Sequence, residues 1–186
     1  MMRIFKFIRL LTTLVTLTSL VACVSSRAQH SAKVFLTGVN LLYGPISQAE
    51  LFTEFPAWQK NYEAYTPDSA LVNSLSRRAD DGLRTEIFLG TWCADSRREV
   101  PRFLKIIDRS RFVAADSVFL WAVDRNKELD NGLTQERNIR RVATIIIFSH
   151  GAELGRIIER PRSETLEQDI LTILNQNQDN AGYSRD

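Results

Sequence analysis

Three short apolar runs constrain this chain more than any other feature: Glu86-Ile87-Phe88-Leu89, Val118 to Val123, and Thr144 to Phe148. Each has the length of a strand, and the second is almost uninterrupted, as expected of a strand buried on both faces. A sheet buried in that way needs helices to cover it. After the first run, Val100, Phe103, Leu104 and Ile107 recur at helical spacing, and Thr134 to Ile139 predicts a short helix after the second. Ser149-His150-Gly151 reads as a turn, and Leu154 to Ile158 as a fourth strand close enough to pair antiparallel with the third. Ser163 then caps a last helix whose apolar face is Leu166, Ile170, Ile173 and Leu174. The order β-α-β-α-β-β-α predicts an α/β fold, a mixed central sheet flanked by helices.

Upstream, residues 34–82 read as an N-terminal helical extension. It opens with the apolar stretch Val34 to Tyr43 and a Gly44-Pro45 turn, followed by two helical candidates separated at Thr66-Pro67. Phe55, Trp58, Tyr62 and Tyr65 recur along the first candidate at near-helical spacing, a stripe expected to pack into the core. Asp68 is the expected N-cap of the second, which carries Leu71, Val72 and Leu75. Residues 83–175 form the α/β domain and 176–186 a polar tail. With 44% hydrophobic residues in 186, the chain can bury a useful core, and a wholly disordered or low-complexity chain is excluded. The two cysteines, Cys23 and Cys93, are too few for a disulfide-dense scaffold, and no Cys/His cluster offers zinc four ligands.

Residues 1–22 read as an export signal. Arg3, Lys6 and Arg9 form a positive n-region, and Leu10 to Ala22 is apolar but shorter than the roughly 20 residues of a spanning helix. Leu20-Val21-Ala22-Cys23 resembles the lipobox of bacterial lipoproteins. That resemblance implies cleavage before Cys23, lipid on its sulfur, and a polar tether over residues 23–33. It places the chain in the bacterial cell envelope; with Val24 after the cysteine, a Gram-negative host would hold it at the outer membrane, facing the periplasm. Residues 1–22 contain three cations and no acid, so removing them lowers Lys+Arg from 24 to 21 against 22 Asp+Glu. A nucleic-acid partner then has no electrostatic basis.

The chemistry centres on Ile87-Phe88-Leu89-Gly90-Thr91-Trp92-Cys93-Ala94-Asp95-Ser96 and Arg98-Glu99-Val100-Pro101, with Val142-Ala143-Thr144 downstream. Over residues 83–175 this pattern resembles the thioredoxin family, in particular envelope proteins with a Trp-Cys-x-Asp-Ser site. The resemblance implies a thioredoxin-like fold with Cys93 as nucleophile, Ser96 in the place of the resolving cysteine, and Val142-Ala143-Thr144 in the place of the cis-proline segment. It requires no cofactor and no metal. Physical reasoning points the same way for Cys93, because a thiol at a strand-to-helix junction meets unpaired N–H groups and the positive end of the helix dipole. Ser96, three residues on, is placed to donate a hydrogen bond to the sulfur. Asp95 serves as a first-turn helix charge or tunes Cys93, Trp92 forms the hydrophobic wall of the site, and Ala94 lines it.

Three departures from the family pattern shape the expected activity. Ser96 leaves a mixed disulfide without an internal thiol to release it. Ala143 replaces the cis-proline, and because a cis bond costs about 2.5–4 kcal/mol without proline, a trans bond is the default expectation. Ile87 stands where thioredoxins bury an acid. The expected function is therefore thiol-disulfide exchange through one cysteine, with cysteine-containing client proteins or a small thiol as partners and the membrane reached through lipid on Cys23. The rival is a non-catalytic binding module in the envelope. Arg98, Arg102, Lys105 and Arg109 line one helix face that reads as solvated, and His150 reads as a structural turn residue. The Pro-x-x-x-Thr-x-x-Cys signature of peroxiredoxins is absent. Cys-Ala-Asp-Ser also differs from the Cys-Gly-Phe-Ser of iron-sulfur glutaredoxins.

Overall fold

The computed structural model describes residues 32–36 and 39–182, with side chains over 41–176; the export signal, Cys23 and most of the tether lie outside the described residues. The elements are β1 (Ala32–Leu36), β2 (Val39–Ile46), α1 (Gln48–Glu54), α2 (Pro56–Ala64), α3 (Ser69–Ser76), β3 (Leu83–Leu89), α4 (Ala94–Ser110), β4 (Val118–Ala122), α5 (Leu133–Glu136), β5 (Thr144–Ser149), β6 (Ala152–Ile158) and α6 (Leu166–Gly182). They build one six-stranded sheet in the order β1-β2-β4-β3-β5-β6. β3 and β4 are parallel, with Ile87 opposite Leu120, and α4 supplies the crossover that a parallel pair requires. β3 and β5 are antiparallel, with Ile87 opposite Ile145, and β5 continues into β6 as a hairpin. From β3 onward this is a thioredoxin-like fold.

β3 and β5 are buried almost throughout, whereas β4, the strand expected to be buried on both faces, buries Leu120 and Ala122 on one face and leaves Phe119 and Trp121 on the other only partly covered. Ile87, Leu89, Ile145 and Ile147 join one hydrophobic cluster with α4 and α6, while Phe88, Ile146 and Phe148 join a second with Val123, Leu129 and Val142. The extension shares the first cluster: Leu42, Leu51, Trp58 and Leu75 are buried with Val100, Phe103 and Ile107. It is also more than helical, because β1 and β2 enlarge the sheet. Gly44 and Pro45, expected to form a turn, instead lie in β2, opposite Ala122 and Trp121 of β4. The strand changes partners there: β1 pairs with residues 39–43, so Pro45 faces β4 alone and its missing N–H breaks no second ladder.

The expected aromatic helix is broken in two at Phe55. Pro56 keeps the residue before it out of the helical region, and Phe55 sits at φ −130° between α1 and α2. Asp68 caps α3 as expected, its carboxylate accepting from the N–H groups of Ala70 and Leu71 at 2.8 and 2.9 Å. Ser163 does not cap α6. Thr165 Oγ1 accepts from Gln168 N–H at 3.2 Å, and the Asp169 carboxylate occupies the Arg162 and Ser163 N–H groups. The segment expected as a polar tail continues α6 to Gly182, because propagating a helix needs only one more hydrogen bond per residue.

Candidate active site

β3 ends at Leu89, and Gly90-Thr91-Trp92 turn the chain into α4, with Cys93 as the N-cap residue at φ −91° and ψ 130°. The Cys93 N–H donates to the Gly90 carbonyl at 2.9 Å, and the Cys93 carbonyl accepts from Arg97 N–H at 3.1 Å. Glycine is needed at position 90: a Cβ there would lie 2.6 Å from the Trp92 ring. Trp92 is held by a hydrogen bond from its indole N–H to the Val123 carbonyl at 3.3 Å, and the Arg125 guanidinium sits 5.6 Å from its ring centre. Packed against the second cluster together with Cys93, it forms the apolar wall beside the thiol.

Cys93 is half-buried, and its thiol donates to the Val142 carbonyl at 3.1 Å. The fold thus brings Cys93 against Val142, with Trp92 packed on the same cluster, and Ala143 and Thr144 are buried next to Val142; Ala94 is exposed. The bond between Val142 and Ala143 is cis, which corrects the expectation of trans. That expectation weighed the peptide bond alone. In the fold, Thr144 Oγ1 donates to the Arg141 carbonyl at 2.7 Å and Glu159 N–H to the Ala143 carbonyl at 2.7 Å, so the segment is held on both sides.

Ser96 is fully buried, and its hydroxyl accepts from Gly90 N–H at 3.2 Å instead of donating to the sulfur. The β3 strand ends just before Gly90, and Ser96 supplies the acceptor its amide needs. Asp95 is half-exposed and paired with Arg98 at 2.7 Å. Arg98 also bonds the buried carboxylate of Glu99, and this bond, reinforced by Asp95, raises the guanidinium above its usual pKa. Ile87 is fully buried among apolar neighbours. The neighbouring acid, Glu86, is buried with Arg137 at 2.7 Å and Arg84 at 3.1 Å.

The basic stripe on α4 is less solvated than its sequence suggests. The Arg102 guanidinium lies 5.3 Å from the Tyr65 ring centre and the Lys105 ammonium 4.3 Å from that of Tyr62, so the stripe covers the aromatics of α2. His150 accepts the role of a turn residue: its N–H donates to the Gly82 carbonyl at 2.9 Å, and its ring fills the space where a Gly82 side chain would go. Sequence reading missed the arginines around the Val142-Ala143-Thr144 segment. Arg140-Arg141 precedes it and Arg160-Pro161-Arg162 follows the strand paired to it, a signal visible only once the two segments are known to be neighbours.

No protein-family model matches the chain, and no curated protein matches it. Among solved structures, it is similar to a protein of unknown function from Pseudomonas aeruginosa, at 18% identity and a TM-score of 0.49, over 73% of this chain and 99% of that one. It is similar to Malassezia sympodialis thioredoxin at 24% identity and a TM-score of 0.35, over 53% and 82% of the two chains. The corresponding values for Fasciola hepatica thioredoxin are 18% and 0.37, over 55% and 86%.

Proposed function

We propose that this chain is a lipid-anchored, thioredoxin-like envelope protein that carries out thiol-disulfide exchange through Cys93 alone. The observation that carries the reading is the half-buried Cys93 at the start of α4, with its sulfur against the Val142 carbonyl, beside the apolar Trp92 wall. The Cys93 thiolate attacks one sulfur of a client disulfide; a new S–S bond forms as the old one breaks, and the other client sulfur leaves as a thiolate. A different thiolate of the client then attacks the client sulfur of the mixed disulfide, which forms a new client disulfide and returns Cys93 as a thiolate; a small external thiol that attacks instead ends in a mixed disulfide with the client. On the first route disulfides are rearranged with no net oxidant or reductant consumed.

The test is covalent capture in cells. Wild-type protein purified under acid-quenched, non-reducing conditions is expected to carry client proteins that a reductant releases, and Cys93→Ala is expected to carry none. Identical captured sets from the two would refute exchange and leave the binding module. Anchoring rests on Leu20-Val21-Ala22-Cys23. Mass spectrometry is expected to find lipid on Cys23, with Cys23→Ala leaving the membrane fraction.

A further inference from the structure

Beside the Cys93 site runs an open groove of about 900 Å³ whose walls include Arg140, Arg141, Thr144, Arg156, Arg160 and Arg162. Thr144, on its wall, stands two residues after Val142, whose carbonyl accepts from the Cys93 thiol, so the groove lies next to the segment that holds the sulfur. A second hollow shares Glu159, Arg160 and Pro161 with it and reaches Asp95 and Arg98 on the first turn of α4. Arg160-Pro161 therefore forms a ridge between the arginine groove and the helix that Cys93 caps.

The charge of this groove is largely uncompensated. Arg141 pairs with Glu159 at 2.7 Å, and Arg156 with Glu153 at 2.6 Å. Among the described residues no carboxylate lies within ion-pair distance of the Arg140, Arg160 or Arg162 guanidinium; Arg140 donates to the Asn138 side chain at 2.8 Å, and the buried Asp169 carboxylate accepts from the Arg162 backbone N–H at 2.6 Å. All three are exposed. Ile158 also lines the groove and is the large hydrophobic residue most open to solvent among the described residues, at 40% exposure. Three unpaired guanidinium groups around an exposed isoleucine suit a peptide that presents carboxylates and an apolar side chain together better than they suit a bare anion.

We propose that the groove receives an acidic client segment next to the cysteine that Cys93 attacks, with Asp or Glu on Arg140, Arg160 and Arg162 and an apolar residue over Ile158. This rests on the exchange reading above and adds the client chemistry. The acidic segment would raise the local concentration of its disulfide at Cys93 and so speed the first step.

The test uses synthetic peptides with one cysteine held as a mixed disulfide to a chromogenic thiol, flanked by Glu, Gln or Lys. Release of the chromophore is followed with wild-type protein and with the triple variant Arg140→Gln, Arg160→Gln, Arg162→Gln. Wild type is expected to react roughly tenfold faster with the Glu peptide than with the Gln peptide at low salt, the advantage fading as salt rises. The triple variant is expected to lose that preference while alkylating with iodoacetamide at the wild-type rate. Charge reversal, Arg160→Glu with Arg162→Glu, is expected to move the preference toward the Lys peptide. Equal rates for Glu and Gln peptides with an iodoacetamide-reactive Cys93 would overturn the groove and leave exchange standing. Should Cys93 react with nothing, exchange falls, and a cysteine-free, dye-labelled Glu peptide tests the groove alone. Binding to wild type and not to the triple variant would support it, and no binding, or equal displacement by millimolar inorganic phosphate, would overturn it.

Discussion

Ser96 sits one helical turn after Cys93, yet its hydroxyl turns back to the Gly90 amide, so the position is occupied by a structural group where a resolving thiol would act. Ser96→Cys places a second sulfur within the Cα separation a disulfide tolerates. We expect that variant to form an internal disulfide, seen as loss of both thiols to alkylation, and to gain turnover in reducing a model protein disulfide. An internal disulfide without turnover would show that client access, not the missing thiol, limits the reaction. At this scale the sequence was informative about identity and less so about direction. Cys93, Trp92 and Ser96 could be placed by their spacing around a strand-to-helix junction. Where Ser96 Oγ points could not, because it depends on which amide the end of β3 leaves unpaired. The Arg140 and Arg160 clusters stayed hidden for a related reason: they are 20 residues apart in the chain and become neighbours only through the β5–β6 pairing.

The element that positions Cys93 is α4, and its weak point is Pro101. Proline lacks the N–H that would bond the Arg97 carbonyl four residues earlier. Asn61 of α2 takes over that task, its side-chain amide donating to Arg97 O at 2.9 Å. Asn61→Ala is therefore expected to lower the unfolding free energy by about 1 kcal/mol in urea titration, the ordinary worth of such a bond. In a Pro101→Ala background, where the backbone N–H returns, the same substitution should cost less. Additive losses would show that the two residues do not cooperate. A second contact between the same elements carries a pH signature. Tyr62 donates to the Asp108 carboxylate at 2.6 Å, and burial, followed by Asp108, pushes its pKa from 10.0 up to about 12. A pKa raised on folding stabilises fully below the unfolded value and is lost as pH climbs through the folded one. The stability difference between wild type and Tyr62→Phe should thus be flat below pH 10 and shrink between 10 and about 12. A difference that does not change across that window would mean that Tyr62 does not titrate as the Asp108 bond requires. These helix contacts were partly legible: apolar period marked α4 and Asp68 marked α3, whereas the break at Phe55 needed the local rule for residues before proline to outweigh the stripe. The bridge from Asn61 to Arg97 depends on docking, which no local pattern encodes.

At the scale of the whole molecule, the division at residue 83 separates a thioredoxin-like unit from an extension that its sheet and core both use. Leu51, Trp58 and Leu75 are fully or almost fully buried in the same cluster as Val100, Phe103 and Ile107 of α4, and Gly44 to Ile46 pair with β4. Removing residues 1–82 would strip α4 of its cover and leave β4 as an open edge, an exposed strand template next to an apolar helix face. A chain beginning at Leu83 is expected to aggregate or to bind a hydrophobic dye, and to melt without a cooperative transition. A chain beginning at Ser31 keeps β1 through α6 and is expected to unfold in one cooperative step. The contrast also bears on the site. α2 supplies the hydrogen bond that stands in for the Pro101 N–H, so a Leu83 chain that did fold would still have an altered first half of α4 and an altered rate of Cys93 alkylation. Cooperative unfolding of the Leu83 chain with the alkylation rate of the Ser31 chain would show that the extension is an accessory to the fold, dispensable for holding Cys93.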